Sequence, residues 1–220
     1  MPERPTAVVF DLDGTLVDTA ADIHAVLAEM LAEAGQPAPD LDAVRAMIGD
    51  GARVLIERAV AAVGADADID ALHRRFTARY ALLPCRHSVP YPGAVELLRE
   101  LRERGLRLGL CTNKPQAPTV ALLAALGLDR AFDAVIGGDA LPGVRKPDPA
   151  HLAAVLARLE VTPAAAVMVG DSRNDLLAAR GAGLRCVLVS FGYTAVPARE
   201  LGADAVVERL DELPALLDRL

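Results

Sequence analysis

Asp11 and Asp13 stand just ahead of a glycine in Asp11-Leu12-Asp13-Gly14-Thr15, and that string directly follows a short apolar run. Three more polar strings recur later in the chain: Thr112-Asn113-Lys114, Arg145-Lys146-Pro147-Asp148-Pro149 and Gly170-Asp171-Ser172-Arg173-Asn174-Asp175. If they meet, several carboxylates crowd one cavity, and like charges cannot all stay ionised there without a cation. Oxygen-rich ligands suit Mg²⁺, which keeps part of its water shell and completes it with phosphate. The chemistry such a cluster suits is phosphoryl transfer, which needs positioning and charge neutralisation above all. Lys146 adds a positive charge, while Thr112 and Asn113 offer hydrogen bonds to phosphate oxygens. Gly14 marks the end of a strand, where a turn brings Asp11 and Asp13 to one cavity with different tasks. Asp11 is the candidate nucleophile that becomes an aspartyl phosphate. Asp13 is the candidate acid for the departing alkoxide, and then the base for the attacking water.

Convergence of this kind needs strands whose carboxyl ends point the same way. Apolar runs at 7–10, 106–111, 134–136, 166–169, 186–189 and 205–207 read as buried parallel strands. Helical segments lie between the later ones. Pro92-Gly93 opens one with Val95, Leu98 and Leu101 on a single face and Gly105 at its end; others cover about 118–126, 149–159 and 175–182. The alternation predicts an α/β fold, a doubly wound Rossmann-like parallel sheet, with ligands beyond the strand ends.

The first strand breaks the pattern, because no convincing strand follows it for about seventy residues. Four helices are predicted there. The first carries Ile23, Val26, Leu27, Met30 and Leu31 and stops at Gly35; Asp40 caps the second, with Leu41, Val44, Met47 and Ile48. The third carries Val54, Leu55, Ala59, Val60 and Val63, and the fourth, capped near Asp68, carries Leu72, Phe76, Tyr80 and Leu83 and stops at Pro84. Residues 17–86 are thus expected to form a helical cap inserted into a core made of 1–16 and 87–220, with hinges near Asp18 and His87.

Composition narrows the function classes. A net charge of -7 without a basic, aromatic-interleaved stretch argues against nucleic acid as a partner. No apolar run reaches the ~18 residues of a membrane span, and the start of the sequence lacks a signal peptide's apolar stretch. Cys85, Cys111 and Cys186 are widely spaced, and the latter two read as buried small hydrophobes. A cytoplasmic protein, monomer or homodimer, with a small phosphate ester as its partner is expected. The four histidines lack metal-ligand spacing and receive no chemistry. Among 23 basic residues only Lys114 and Lys146 are lysines, so each invites a reason.

These strings resemble the haloacid-dehalogenase-like phosphatase superfamily. Its D-x-D-G-T-[LV] motif matches Asp11 to Leu16, its Ser/Thr motif Thr112, its Lys motif Lys146, and its acidic motif Gly170 to Asp175, all in order across the chain. The resemblance implies Mg²⁺ held by Asp11, the Asp13 main-chain carbonyl and Asp171, with Asp175 in support. Singly, the same residues read as turn residues, a surface charge and a helix cap. Ile48-Gly49-Asp50-Gly51-Ala52, Thr112-Asn113-Lys114-Pro115, Gly137-Gly138-Asp139 and Gly192-Tyr193 resemble the phosphoglycolate phosphatase branch, although Thr194-Ala195-Val196 departs from its pattern. On that resemblance the substrate is 2-phosphoglycolate, with another sugar-phosphate phosphatase or a phosphosugar mutase as the alternative. A phosphoacceptor signalling module lacks both the helical insertion and a use for Asp13. Arg53 either pairs with a substrate carboxylate or stands as a surface charge; Lys114 either meets substrate or cap, or flanks a helix.

Overall fold

The structure is a computed structural model that describes residues 4–82 and 85–220. Its main sheet has six parallel strands: β1 (Ala7–Phe10), β4 (Arg107–Cys111), β5 (Ala134–Ile136), β6 (Ala166–Gly170), β7 (Arg185–Val189) and β8 (Ala205–Val207). Their order is β5-β4-β1-β6-β7-β8. The chain winds outward from β1 in one direction, then returns to β1's other side at β6. Ligands of a doubly wound sheet bind at this reversal, beyond the carboxyl ends of β1 and β6.

The central strands β1 and β6 are buried on both faces, which explains their continuous apolar runs. Val8 and Phe10 join one core cluster, with Leu108, Leu110, Val167 and Val169. Ala7 and Val9 join the other, with Met168, Cys186 and Leu188. Helices α5 (Ala94–Glu103), α6 (Gln116–Ala125) and α10 (Leu213–Leu217) cover the first face. Helices α7 (Pro149–Leu159), α8 (Arg173–Ala182) and α9 (Ala198–Leu201) cover the second. The buried stripe of α5 is Ala94, Leu97, Leu98 and Leu101, whereas Val95 is 47% exposed. Val95 sits one residue off that stripe, about 100° around a helix, so it cannot share the inward face assigned to it from the sequence.

Between β1 and β4 lie α1 (Ala20–Glu33), α2 (Leu41–Arg45), α3 (Ala52–Ala62) and α4 (Ile69–Leu82). They share a third cluster of their own, including Ile23, Leu27, Met30, Val44, Leu55, Ile56, Phe76 and Tyr80. Asp40 caps α2 by accepting the Ala43 N–H at 2.8 Å. Met47 and Ile48 follow that short helix in a turn and pack against the same cluster. The expected stop at Leu83 and Pro84 lies outside the described residues.

One feature of this insertion had no sequence signature. Strand β2 (Val17–Asp18) pairs antiparallel with β3 (Val89–Pro90), so a two-stranded neck joins the helices to the sheet. Two residues are too few to display a period of two. Beside the neck, buried Asp22 accepts the main-chain N–H groups of Arg86, His87 and Ser88 and the Ser88 hydroxyl. That carboxylate fastens the returning chain to the first turn of α1.

Candidate active site

Asp11 is the first residue beyond β1, and its N–H still pairs with the Val169 carbonyl at 2.9 Å. Asp171 is the first residue beyond β6, the neighbouring strand. The two carboxylates therefore face each other at the sheet's reversal point. With Asp175 they form a buried triad whose oxygens lie within 4.8 Å of one another. Lys146 stands between two of them, with Nζ 2.8 Å from Asp11 Oδ1 and 2.6 Å from Asp175 Oδ1. Gly14 adopts φ +84°, and a Cβ there would sit 2.5 Å from Asp171 Oδ2. The glycine of the first motif thus serves both a left-handed turn and the approach of Asp171.

The triad's members are not equivalent. Asp175 occupies the third position of α8 and closes a capping box with Ser172. Its Oδ2 accepts the N–H groups of Asp171 and Ser172 and the Ser172 hydroxyl, while its Oδ1 takes Lys146. Both oxygens are committed, so Asp175 orients the site. Asp171 Oδ2 accepts the Tyr193 N–H at 2.7 Å. Asp11 Oδ1 is buried with no partner in hydrogen-bond geometry, its Lys146 contact being an ion pair. Burial pushes the Asp11 carboxyl up to about 6 despite Lys146, with Asp175 adding to the rise. Burial, then the charges of Asp175 and Asp11, likewise push Asp171 well above the carboxylate range. Hard oxygen donors that resist ionisation together form a set that a divalent cation fits.

Asp13 lines the same cavity as Asp11, Thr112 and Asn113. Its Oδ1 accepts the Thr19 hydroxyl at 2.7 Å and lies 3.1 Å from Lys114 Nζ. Thr112 Oγ1 accepts the Lys114 N–H, which leaves the hydroxyl proton to donate. Asn113 behaves differently from its sequence expectation. Both hydrogens of its amide are spent, on the Gly49 and Lys146 carbonyls at 2.9 Å each. It therefore ties the loop between α2 and α3 to the end of β4, and only its backbone is left for a phosphate. Asn174 reinforces the tie through Asp50 Oδ1 at 2.6 Å. Arg53 is not brought to the site: it is exposed on α3, bonded to Glu57 at 3.0 Å and to Asp70.

Several supporting residues escaped the sequence reading. Tyr193 donates its hydroxyl proton to Asp18 and accepts the N–H groups of Thr19 and Ala20, joining an Asp171 contact to the neck. The string Gly192-Tyr193 was the only hint. His151, which had no expected role, is fully buried under the lysine. The Lys146 N–H donates to its Nδ1 and its Nε2–H donates to the Gly137 carbonyl, each at 3.2 Å, which fixes a neutral tautomer. Burial and the Lys146 charge push its pKa down to about 4. A neutral histidine in the fold and a protonated one in the unfolded chain make acid destabilising between about pH 6.5 and 4. Urea midpoints followed across that window should fall with pH in the wild type. In His151→Leu that component of the slope should vanish; an unchanged slope would contradict the assignment.

The geometry has matching relatives. A haloacid dehalogenase-like hydrolase family model matches residues 5–183. A phosphoglycolate phosphatase of Caulobacter vibrioides is 47% identical over 94% of this chain and 88% of its own length. A crystal structure of a predicted phosphoglycolate phosphatase from Haemophilus somnus superposes with a TM-score of 0.92 at 30% identity, covering 97% of this chain and 98% of that one. CbbY from Rhodobacter sphaeroides, solved in complex with phosphate, superposes at 0.83 with 30% identity over 97% of this chain and 99% of its own. With the family model spanning most of the sheet and the whole cap, the chain belongs to the haloacid dehalogenase-like hydrolase family.

Proposed function

We propose that the chain is a Mg²⁺-dependent phosphatase that hydrolyses 2-phosphoglycolate through a phosphorylated Asp11. The observation that carries the reading is the placement of Asp11 and Asp171 on adjacent strand ends, with Lys146 between Asp11 and Asp175 and with Asp13 in the same cavity. Asp11, the Asp13 main-chain carbonyl and Asp171 are the residues to hold the ion. Bound there, Mg²⁺ supplies charge neutralisation for the phosphoryl oxygens.

The chain's own groups account for the rest. An Asp11 oxygen forms a bond to phosphorus as the bond to the ester oxygen breaks, and Asp13 gives that oxygen its proton. Asp13 then takes a proton from water, whose oxygen attacks phosphorus and frees Asp11 and inorganic phosphate. Lys146 and the Thr112 hydroxyl orient the phosphoryl group. Helices α1 to α4 act as a cap, hinged at the neck near Asp18 and His87, whose closure excludes water. The cavity between these helices and the sheet is lined by Asp11, Asp13, Thr112 and Lys114 on the sheet side and by Phe76 and Tyr80 of α4. The names of the curated relatives point to 2-phosphoglycolate as the substrate.

A phosphate-release screen over small esters, with Mg²⁺ and with a chelator, tests this reading. We expect 2-phosphoglycolate to exceed sugar phosphates at least about tenfold in kcat/KM, a margin that pocket contacts of ~1–3 kcal/mol supply. Chelation should abolish turnover. A flat substrate profile would reduce the reading to a general phosphatase, and isomerised sugar phosphate without free phosphate would replace it with a mutase.

A further inference from the structure

Lys114 is a buried cation that the phosphoryl-transfer steps above do not use. It is 6% exposed and lies three residues beyond the end of β4. Its Nζ is 3.1 Å from Asp13 Oδ1, 2.9 Å from the Tyr80 hydroxyl and 4.3 Å from the centre of the Tyr80 ring. Tyr80 belongs to α4 of the cap, stacked on Phe76 at 5.7 Å between centroids. The ammonium is thus clamped between the candidate acid/base and the cap.

The cavity is lined by polar residues of the sheet side, Asp11, Asp13, Thr112, Asn113 and Lys114, and by the apolar Ile23, Ile48, Leu55 and Phe76. Among the described residues that line it, Lys114 is the only cation. The position of that charge relative to Asp13 is informative. A general acid must reach the bridging ester oxygen within about 2.6–3.2 Å. In a phosphorylated 2-hydroxy acid a single carbon separates that oxygen from the carboxylate. A substrate placed for proton transfer from Asp13 therefore carries its carboxylate into the neighbourhood of Asp13, where Lys114 already stands.

We propose that Lys114, presented by Asp13 and by Tyr80 of the cap, is the specificity-determining residue, which receives the carboxylate of a phosphorylated 2-hydroxy acid. The inference rests on the phosphatase reading above and deepens it. Arg53, bonded on the outer face of α3, takes no part. Because Tyr80 supplies one of the two groups that hold Lys114, the carboxylate is read only with the cap closed. Esters lacking an acid group next to the ester carbon leave the ammonium with Asp13 and Tyr80 and gain nothing from it.

The test compares 2-phosphoglycolate with 2-hydroxyethyl phosphate, which has an alcohol in place of the carboxylate. The readout is the ratio of their kcat/KM values in wild type, Lys114→Met and Lys114→Arg. Any damage that loss of Lys114 does through Asp13 falls on both esters alike and cancels in the ratio. Charged hydrogen bonds are worth enough that the wild-type ratio should fall about 10–100-fold in Lys114→Met, and return in part in Lys114→Arg. Tyr80→Phe, which keeps the ring and removes the hydroxyl, should lower the ratio by less, about threefold to tenfold. A wild-type preference that persists in Lys114→Met overturns the inference and leaves the phosphatase reading standing. A wild type indifferent to the carboxylate overturns both the inference and the 2-phosphoglycolate assignment.

Discussion

Asp11→Asn is expected to lower kcat by at least about 10⁴-fold while leaving the protein folded, because removal of a nucleophile that acts as part of a unit costs on this scale. The amide keeps the shape of the carboxylate and cannot form the acyl phosphate. Acid-quenched wild-type enzyme should contain phosphate in covalent linkage to Asp11, and the variant should contain none. The raised Asp11 pKa adds a pH signature. With the carboxyl pushed up to about 6 by burial, the attacking anion is lost as pH falls through that value when metal is limiting. Excess metal competes with the proton and should move the acid limb to lower pH. A variant that kept full metal-dependent turnover would place the attack elsewhere, and the mechanism would fail.

Lys146→Met carries the second large effect, on stability as well as on rate. The residue is 3% exposed and its ammonium is shared by Asp11 and Asp175. Deleting one side of a buried ion pair leaves charge without compensation, at a cost of about 3–5 kcal/mol. Methionine fills most of the volume, so the loss should be electrostatic. It should shrink on acidification, since protons can neutralise Asp11 and Asp171, whose pKa values are already raised. Chemical denaturation at two pH values measures this directly. Turnover should fall about 10²–10³-fold, the scale seen when one donor to a developing oxyanion is removed. Equal destabilisation at both pH values would mean that Lys146 contributes packing alone.

The fold was largely legible because its strands are mostly apolar, the central ones being buried on both faces. Uninterrupted apolar runs at 7–10, 134–136 and 205–207 coincide with β1, β5 and β8, and Asp148-Pro149 marks the start of α7. The polar strings were legible for a related reason. Charged residues directly after a buried strand have little else to do than face the crevice. Val95 shows where the reading weakens, since an apolar residue beside a helical stripe looks much like a member of it. Asn113 and Arg53 show a deeper difficulty. Residue type told what each could bond, and the available partners decided what each did bond: carbonyls of Gly49 and Lys146 for the first, surface carboxylates for the second.

By itself, the sequence determined which groups were available: two aspartates before a glycine, a threonine, a rare lysine and a late acidic string, each tied to an element by local periodicity. Only the tertiary structure decided which of them share a charge. Asp13 and Lys114 are 101 positions apart, Lys146 and Asp175 are 29 apart, and His151 meets Gly137 across 14. Local pattern arises from each residue's immediate neighbours along the chain, which a sequence displays. Electrostatic pairing and burial arise from whatever the sheet order and the inserted helices bring near, and no spacing along the chain records that.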